Sequence, residues 1–237
     1  MLKTGLIELE LSHGLVFEHI AENQPETLVW GFSPEKHLRL PARYTHFGVV
    51  LEGEISLHYR NRRRPLVAGD YFCTNGPTII SGSGLGAVTS IKGYRGMNVC
   101  GGPIEDHGRL RYINGSTDTI LVSPVKKGDP CFNHLHFPPR VSQTAHTHPS
   151  IRVNVVYRGS GLCLAPEGNQ RVSLRSGYIF VMLPETIHSF ETGVESMDVI
   201  TFHPDSDVGM TDDNHPMVNR TMVDNISASH LPHIRTK

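Results

Sequence analysis

The sequence predicts an all-β protein, built as a sandwich or a barrel, on two observations. Short runs rich in β-branched and aromatic residues recur along the 237 residues, and Gly or Pro separates one run from the next. No stretch shows the apolar periodicity of a long helix. Short strands that each bury one face pack into two layers or close into a barrel, so this fold class is the expectation.

The first half of the chain contains four regions with strand character. They are Thr27–Phe32, His46–Val50, Glu54–Tyr59 and Pro65–Cys73. The second and third flank Leu51-Glu52-Gly53, a turn sequence, and are expected to pair around it. The second half has four more such regions, Asn133–Phe137, Val153–Tyr157, Leu162–Ala165 and Tyr178–Leu183. Between the middle two, Arg158-Gly159-Ser160-Gly161 predicts a tight turn.

The region between the halves contains the Gly- and Pro-rich turn sequences that are typical of a linker. Residues 101–127 contain Gly-Gly-Pro and Asn-Gly sequences, and Lys126 begins Lys-Lys-Gly-Asp-Pro. Within the region, Thr119–Val122 predicts a strand that opens the second half. Residues 205–237 are rich in Asp, Asn, Pro and His. They predict an extended tail that packs over a barrel or onto a partner subunit, and a disordered tail is the alternative.

A His-x-His sequence lies within Gln143–Pro149. On a strand, His146 and His148 would point to the same face, so two imidazoles would aim at one point. Neutral imidazole is the commonest protein ligand of several transition metals. Because two histidines hold an ion poorly, a third ligand has to come from elsewhere in the chain.

Residues downstream of this pair complete a known spacing. It resembles the two motifs of the cupin superfamily, His-x-His followed by Glu and Gly, then Gly, Pro and His. The matching residues are His146, His148, Gly159, Gly177, Pro184 and His188. The resemblance implies that the three histidines converge on a metal inside a small β-barrel. Arg152 is the departure, because it stands where the family usually has a metal-binding Glu.

The first half resembles a weak copy of the second. Aligning Gly53 with Gly159 pairs Gly69 with Gly177. Leu40 and Ala42 then stand opposite His146 and His148. His46 stands opposite Arg152, and a position near Ile80 stands opposite His188. The chain is thus similar to a bicupin, two tandem cupin (double-stranded β-helix or jelly-roll) barrels of which the N-terminal one lacks the ligands. Expected boundaries are 1–103 for that barrel, 104–127 for the linker and first strand, 128–204 for the metal-binding barrel and 205–237 for the tail. A chance match of ordinary hairpins is the alternative.

Three histidines leave coordination positions open, whereas structural zinc sites are closed by four protein ligands, usually with Cys. The cysteines Cys73, Cys100, Cys131 and Cys163 show no spacing that would close this site. Fe²⁺ is the preferred ion, and Mn²⁺, Ni²⁺ or Zn²⁺ also suit such ligands. The alternative is that His146 and His148 are exposed loop histidines and His188 is an ordinary core residue.

Three further residues are candidates for catalysis. Arg152 cannot bind a metal but can clamp an anionic group with two hydrogen bonds, and Asn154 would be its hydrogen-bonding neighbour on the same strand face. His136 shares a face with His134, and one of them is expected as an acid–base group or further ligand if that face points inward. Outward orientations, with Arg152 paired on the surface, are the alternatives.

Composition excludes several classes of function. The net charge of −1 argues against nucleic acid or an anionic membrane as partner. No apolar window is long enough to span a bilayer, and residues 1–10 lack a signal-peptide core. Scattered cysteines fit reduced thiols, so a cytoplasmic location is expected.

The expected function is that of a non-haem iron dioxygenase. It would act on a small anionic organic substrate, with O₂ as second reactant, in a protein that forms a homodimer. The alternatives are a redox-neutral isomerase, lyase or decarboxylase and a non-catalytic ligand-binding cupin, because one fold hosts many functions.

Overall fold

Strands make up almost all of the regular structure, so the predicted all-β class is confirmed. The computed structural model describes residues 5–22, 24–166 and 169–236. Within those ranges, α-helix is limited to the single turn α1, Pro216–Asn219. No helix in the same ranges is long and apolar enough to cross a membrane.

Strands are numbered in chain order, and those before residue 102 come first. They are β1 (Leu6–Leu9), β2 (Gly14–His19), β3 (Thr27–Phe32), β4 (Leu38–Leu40), β5 (Tyr44–Glu52), β6 (Glu54–Tyr59), β7 (Arg62–Val67), β8 (Tyr71–Asn75), β9 (Thr78–Gly82), β10 (Leu85–Lys92) and β11 (Val99–Gly101). One six-stranded sheet has the order β11-β8-β5-β10-β3-β2, and one four-stranded sheet has the order β4-β9-β6-β7. Their facing side chains, among them Phe32, Leu57, Phe72 and Ile80, form one buried apolar cluster.

The second half forms one larger sheet. Its strands are β12 (Leu110–Arg111), β13 (Thr117–Val122), β14 (Cys131–Phe137), β15 (Arg152–Ala165), β16 (Gln170–Arg175), β17 (Ile179–Met182), β18 (Ser189–Glu191) and β19 (Met197–His203). The order is β1-β17-β15-β19-β14-β13-β12, and β16 and β18 also pair with β15. The strand predicted over Thr119–Val122 lies within β13.

Strand β15 runs without a break through residues 158–161, so the tight turn predicted there is wrong. Its first part pairs with β17 and β19, and its last part pairs with β16 and β18. The register shifts between Val156 and Arg158, and Gly159 has a φ of +76°. A Cβ at position 159 would lie 1.9 Å from the Ser196 carbonyl oxygen. Gly159 therefore bends the strand from one layer to the other instead of reversing it.

The two halves repeat the same backbone hydrogen bonds at positions that the sequence aligned. The Gly69 amide donates to the Val50 carbonyl, and the Gly177 amide donates to the Val156 carbonyl, both at 2.9 Å. Gly69 and Gly177 have φ values of +88° and +82°. This agreement indicates a repeated strand–turn–strand unit.

The start of the chain crosses to the far half. Strand β1 pairs antiparallel with β17, with Leu6 opposite Met182. Just before β1, the Gly5 amide donates to Thr186 Oγ1 at 2.8 Å, in the loop that leads to His188. The N-terminal segment therefore holds the end of β17 and the loop after it.

The six-stranded and nine-stranded sheets pack back to back through an aromatic contact. The Phe47 ring lies 5.9 Å from that of Phe132 and 5.1 Å from that of Phe202, measured between centroids. All three side chains are buried in a cluster that draws on both halves. Apolar burial of this kind is expected to couple the stability of the two halves.

The last segment has little regular structure. Besides α1 it contains β20 (Met222–Val223) and β21 (Ile226–Ser227). Residues after β19 contact the loop between β13 and β14, where Lys126 bridges Met210 and its Nζ lies 2.7 Å from Asp212 Oδ1.

Candidate metal centre

The three predicted ligand histidines lie together. His146 and His148 follow β14 in an irregular segment, not on a regular strand as expected. His146 forms an isolated bridge with His188, with both amide–carbonyl distances at 2.9 Å. This backbone pair brings the histidine before β18 next to the His-x-His segment. The convergence therefore comes from tertiary pairing and not from strand alternation.

The three rings are close enough to share one ion. Ring centroids are 4.5 Å apart for His146 and His188 and 5.1 Å apart for each pair with His148. One nitrogen from each ring can be chosen so that all three lie within 4.8 Å of one another. Among the described residues, this is the one such group of three or more His, Cys, Asp or Glu side chains.

Backbone carbonyls fix which nitrogen each ring offers. His146 Nδ1 donates to the Thr144 carbonyl and His188 Nδ1 donates to the Thr186 carbonyl, both at 2.9 Å. The lone pair therefore lies on Nε2 in each ring. His188 Nε2 is buried and has no hydrogen-bond partner among the described residues. Orientation by a hydrogen bond to the other nitrogen is the usual arrangement for a metal-bound histidine.

Burial keeps two of the rings neutral. It lowers the pKa of His148 to about 3, and the nearby Arg152 charge adds to the effect. It lowers the pKa of His188 to about 4. A metal ligand has to be deprotonated, so neutral rings with free lone pairs suit a divalent cation. An orphaned buried nitrogen within such a group is costly in a protein unless something binds it, and the residues present therefore fit a metal ion.

The rings open into a small cavity of about 160 Å³. Its wall contains charged, polar and apolar side chains, namely Tyr112, Asp118, Asn133, Leu135, His146, His148, Arg152, Asn154, Met182, His188, Phe190, Thr201 and His203. An apolar cavity of about 150 Å³ holds one benzene molecule, so the space suits a ligand with a single ring or a short chain.

Arg152 lies inside the cavity wall, with 11% of its side chain exposed. Its hydrogen bonds in the described residues all use Nη1, to the carbonyls of Ser150 and Ile151 and to Ser150 Oγ. Asp205 Oδ1 is 3.8 Å from the same nitrogen. The side-on edge of the guanidinium, Nε with Nη2, is left for another acceptor.

Asn154 also lines the cavity, but its amide is committed to the protein. Nδ2 donates to the carbonyls of Arg152 and Phe180, and Oδ1 accepts from Thr201 Oγ1 at 2.9 Å. The position therefore fits a structural role, holding β15 against β17 and β19, better than the substrate contact expected from the sequence.

His136 does not join the site. It lies on the opposite face of β14 from Asn133 and Leu135, and Asp198 Oδ1 accepts from both His136 Nδ1 and His134 Nε2, at 2.8 and 2.7 Å. Both histidines are buried. The acid–base role expected for His136 has no support, because the face it shares with His134 turns away from the cavity.

Sequence reasoning missed several residues in the wall. Tyr112 and Asp118 come from the region assigned to the linker, and Asn133 and Thr201 come from β14 and β19. Asn133 Nδ2 lies 3.0 Å from each Asp118 carboxylate oxygen, and burial raises the pKa of Asp118. Strand alternation along β13 and β14 was the available signal, but it did not say which face was inward.

No protein-family model and no curated protein sequence matches this chain. Solved structures are similar to it. An IolB-like protein from Salmonella typhimurium has a TM-score of 0.62 at 11% identity, with 86% of this chain and 93% of that chain covered. A cupin 2 conserved barrel domain protein from Leptotrichia buccalis has a TM-score of 0.58 at 11% identity, with 84% and 89% covered.

A third similar structure is a single-site mutant of the salicylate 1,2-dioxygenase from Pseudoaminobacter salicylatoxidans in complex with gentisate. Its TM-score is 0.55 at 11% identity, with 76% of this chain and 69% of that chain covered. Such low identities carry information about architecture and not about reaction. The chain has the all-β barrel fold of the cupin-domain proteins.

Proposed function

We propose that this chain is a metal-dependent cupin enzyme, a non-haem iron dioxygenase that acts on a small anionic organic substrate. His146, His148 and His188 would hold Fe²⁺. The observation that carries the proposal is the buried, unpartnered Nε2 of His188 within a group of three converging imidazoles. A site of three protein ligands leaves coordination positions open, as catalytic metal sites do.

Iron bound there would supply a place where O₂ and substrate meet. The chain's own residues do the rest. Leu135, Met182 and Phe190 form the apolar part of the wall and exclude water from the reacting groups. The carbonyls of Thr144 and Thr186 keep two imidazoles oriented, so little reorganisation is needed when a ligand enters.

Arg152 supports an anionic substrate. Its free Nε–Nη2 edge matches the two oxygens of a carboxylate, and its charge is held in a mostly buried position. A buried guanidinium gains most from a partner that forms two hydrogen bonds with it. The cavity of about 160 Å³ limits that partner to a small molecule.

The bicupin arrangement is part of the proposal. The matching hydrogen bonds of Gly69 and Gly177 support a repeat. In the first half, the position aligned with Arg152 holds His46, whose Nε2 contacts two backbone carbonyls and whose Nδ1 contacts Ser90 Oγ. The N-terminal barrel would therefore be structural, with a homodimer as the expected assembly.

The first test is metal content. We expect the purified protein to bind about one equivalent of Fe²⁺ anaerobically, and His148→Ala to lose it, because two remaining imidazoles hold an ion poorly. His230→Ala, which removes an exposed histidine of the tail, is the matched control and should bind as the parent does. Equal metal content in His148→Ala and the parent would refute the centre.

The second test is oxygen uptake by the iron-loaded protein over a panel of small carboxylates that includes salicylate and gentisate. We expect oxygen uptake that depends on both iron and one of the carboxylates. Arg152→Lys should lower the affinity for that carboxylate by about tenfold or more and leave the metal content unchanged. Turnover without uptake would indicate a redox-neutral isomerase, lyase or decarboxylase. Binding without turnover, unaffected by chelator, would indicate a ligand-binding cupin.

A further inference from the structure

The three-histidine group brings no negative charge to a divalent ion. Its imidazoles are neutral ligands, and Arg152 adds a positive charge in the same cavity. Arg152 also stands at the motif position where the cupin superfamily usually has a metal-binding Glu, so the anionic ligand of that motif is missing. A centre of this kind is improved by one anionic oxygen donor, because charge in a poorly hydrated site needs a counter-charge.

Tyr112 offers such an oxygen. Its hydroxyl lies 3.2 Å from His146 Nε2, and its ring meets the imidazole edge-on, at 81°. His146 Nδ1 is already committed to the Thr144 carbonyl, so Nε2 is the atom that would face the ion. In this structure the Tyr112 hydroxyl therefore donates a hydrogen bond to the Nε2 lone pair that a metal would use, which places Oη beside that lone pair.

The segment that carries Tyr112 is tied to the ligand segment. Tyr112 follows β12 and precedes the 3₁₀ turn Ile113–Gly115. Asn114 Oδ1 accepts from the Thr144 amide at 2.8 Å, and Gln143 Nε2 donates to Ser116 Oγ at 3.1 Å. Two hydrogen bonds thus fix Tyr112 relative to His146, although the residues are far apart in sequence.

The distance suits two atoms bound to the same ion. Nitrogen and oxygen ligands lie about 2.1 Å from a divalent ion of this size, so two of them at the right angle of a six-coordinate site are about 3.0 Å apart. The 3.2 Å between Tyr112 Oη and His146 Nε2 is close to that value, and four protein ligands in such a site would leave two positions open. One nitrogen of each histidine lies within 4.8 Å of the other two, and Tyr112 lines the same cavity as all three rings.

We propose that Tyr112 is a fourth protein ligand of the metal, bound through its phenolate oxygen. The phenol releases its proton to solvent as the oxygen binds. This inference rests on the metal centre proposed above. Tyr112 would supply the anionic oxygen that is missing because Arg152 replaces the Glu of the motif. It would come from the predicted linker region and not from the two cupin motifs.

Titration with Cu²⁺ tests the assignment directly, because a phenolate bound to Cu²⁺ gives a strong visible charge-transfer band. We expect the band at one equivalent in the parent protein and its absence in Tyr112→Phe. Tyr178→Phe is the matched control, because Tyr178 donates to Glu8 outside the cavity, and it should keep the band. Chelator competition should show binding in Tyr112→Phe weakened by about tenfold or more.

The outcomes separate the two proposals. One equivalent of Cu²⁺ bound without the band in the parent protein would overturn the Tyr112 assignment, a measurement that needs no variant. Tighter binding by Tyr112→Phe would also overturn it, since Tyr112 would then be a competitor for the His146 lone pair. If the parent binds no Cu²⁺, or if His148→Ala binds it equally well, the metal centre itself is wrong.

Discussion

His46 and His188 show how two buried histidines differ in what their nitrogens contact. His46 Nδ1 lies 2.7 Å from Ser90 Oγ, and its Nε2 faces the carbonyls of Pro41 and Gly76. Both nitrogens are therefore satisfied by the protein. His188 has one satisfied nitrogen and one buried nitrogen without a partner among the described residues. The first pattern is structural, and the second fits a ligand at His188 because two further imidazoles converge there.

His46 makes the stability of the protein depend on pH. Burial lowers its pKa to about 4 in the folded state, whereas an unfolded histidine titrates near 6.5. Below pH of about 6.5 the unfolded chain binds the additional proton, so stability falls as the pH falls and the loss levels off below about 4. The shift corresponds to about 3 kcal/mol at most.

The measurement is the free energy of urea unfolding of metal-free protein from neutral pH to about pH 4. We expect His46→Gln to be less stable at neutral pH but to lose less on acidification. His148, His188 and His203 contribute a loss of the same sign in both proteins, so the difference in slope reports His46. Parallel slopes for the two proteins would contradict the assignment.

Among single residues, motif spacing correctly predicted that His146, His148 and His188 converge, and their role as metal ligands stays a prediction. His146, His148 and His188 were found because the surrounding Gly and Pro positions restricted the backbone around them. The expectation that His136 faces the site is wrong, because its Nδ1 donates a hydrogen bond to Asp198 on another strand, on the face of β14 turned away from the cavity. Burial and charge partners that are distant in sequence leave no local trace.

At the level of elements, Gly159 and Gly177 are both motif positions, but the structure requires glycine at each of them for a different reason. Both have a positive φ. A Cβ at 159 would meet the Ser196 carbonyl at 1.9 Å, whereas a Cβ at 177 would have no atom within 4 Å. Gly159 is required by close packing as well as by conformation, and Gly177 is required by conformation alone.

We therefore expect Gly159→Ala to destabilise the protein more than Gly177→Ala. Both variants incur about 1–2 kcal/mol for the left-handed backbone. Gly159→Ala adds a steric cost of about 1–3 kcal/mol, because β15 and the residue before β19 have to move apart. Equilibrium unfolding of the two variants measures the difference, and equal losses would show that β15 accommodates the methyl group.

The tight turn predicted at residues 158–161 is wrong because the packing around Gly159 is a tertiary feature that the local sequence does not show. Two glycines and a serine in sequence indicate a reversal when only local propensity is considered. The actual strand continues, because Gly159 lets β15 leave one layer and enter the other, and pairing with β16 and β18 stabilises the continuation. Local signals located the irregularity but not its geometry.

At the level of the whole molecule, the Phe47 contact joins the halves. Phe47 lies on β5, in the six-stranded sheet, and packs on Phe132 and Phe202 of the nine-stranded sheet. Strand β1 also crosses between the halves by pairing with β17. These contacts predict one cooperative unfolding transition instead of two.

The test uses two probes in opposite halves. Trp30, the single tryptophan, lies on β3, and a metal ion loaded at the proposed centre would report on the other half. We expect tryptophan fluorescence and metal release to change at the same denaturant concentration. Phe47→Ala should lower both midpoints together, by about 3–5 kcal/mol in unfolding free energy. Separate midpoints in the parent protein would show that the halves fold independently.

The sequence by itself determined the all-β class, the positions of most strands and which three histidines converge, because alternation, turn residues and motif spacing are local properties of the chain. Only the tertiary structure decided that the histidines meet through a bridge between His146 and His188, and that Arg152 and Tyr112 line the same cavity. The physical reason is that these positions depend on which face of each strand is buried against strands distant in sequence. The free energy of that burial is a property of the whole packed molecule and not of any local segment.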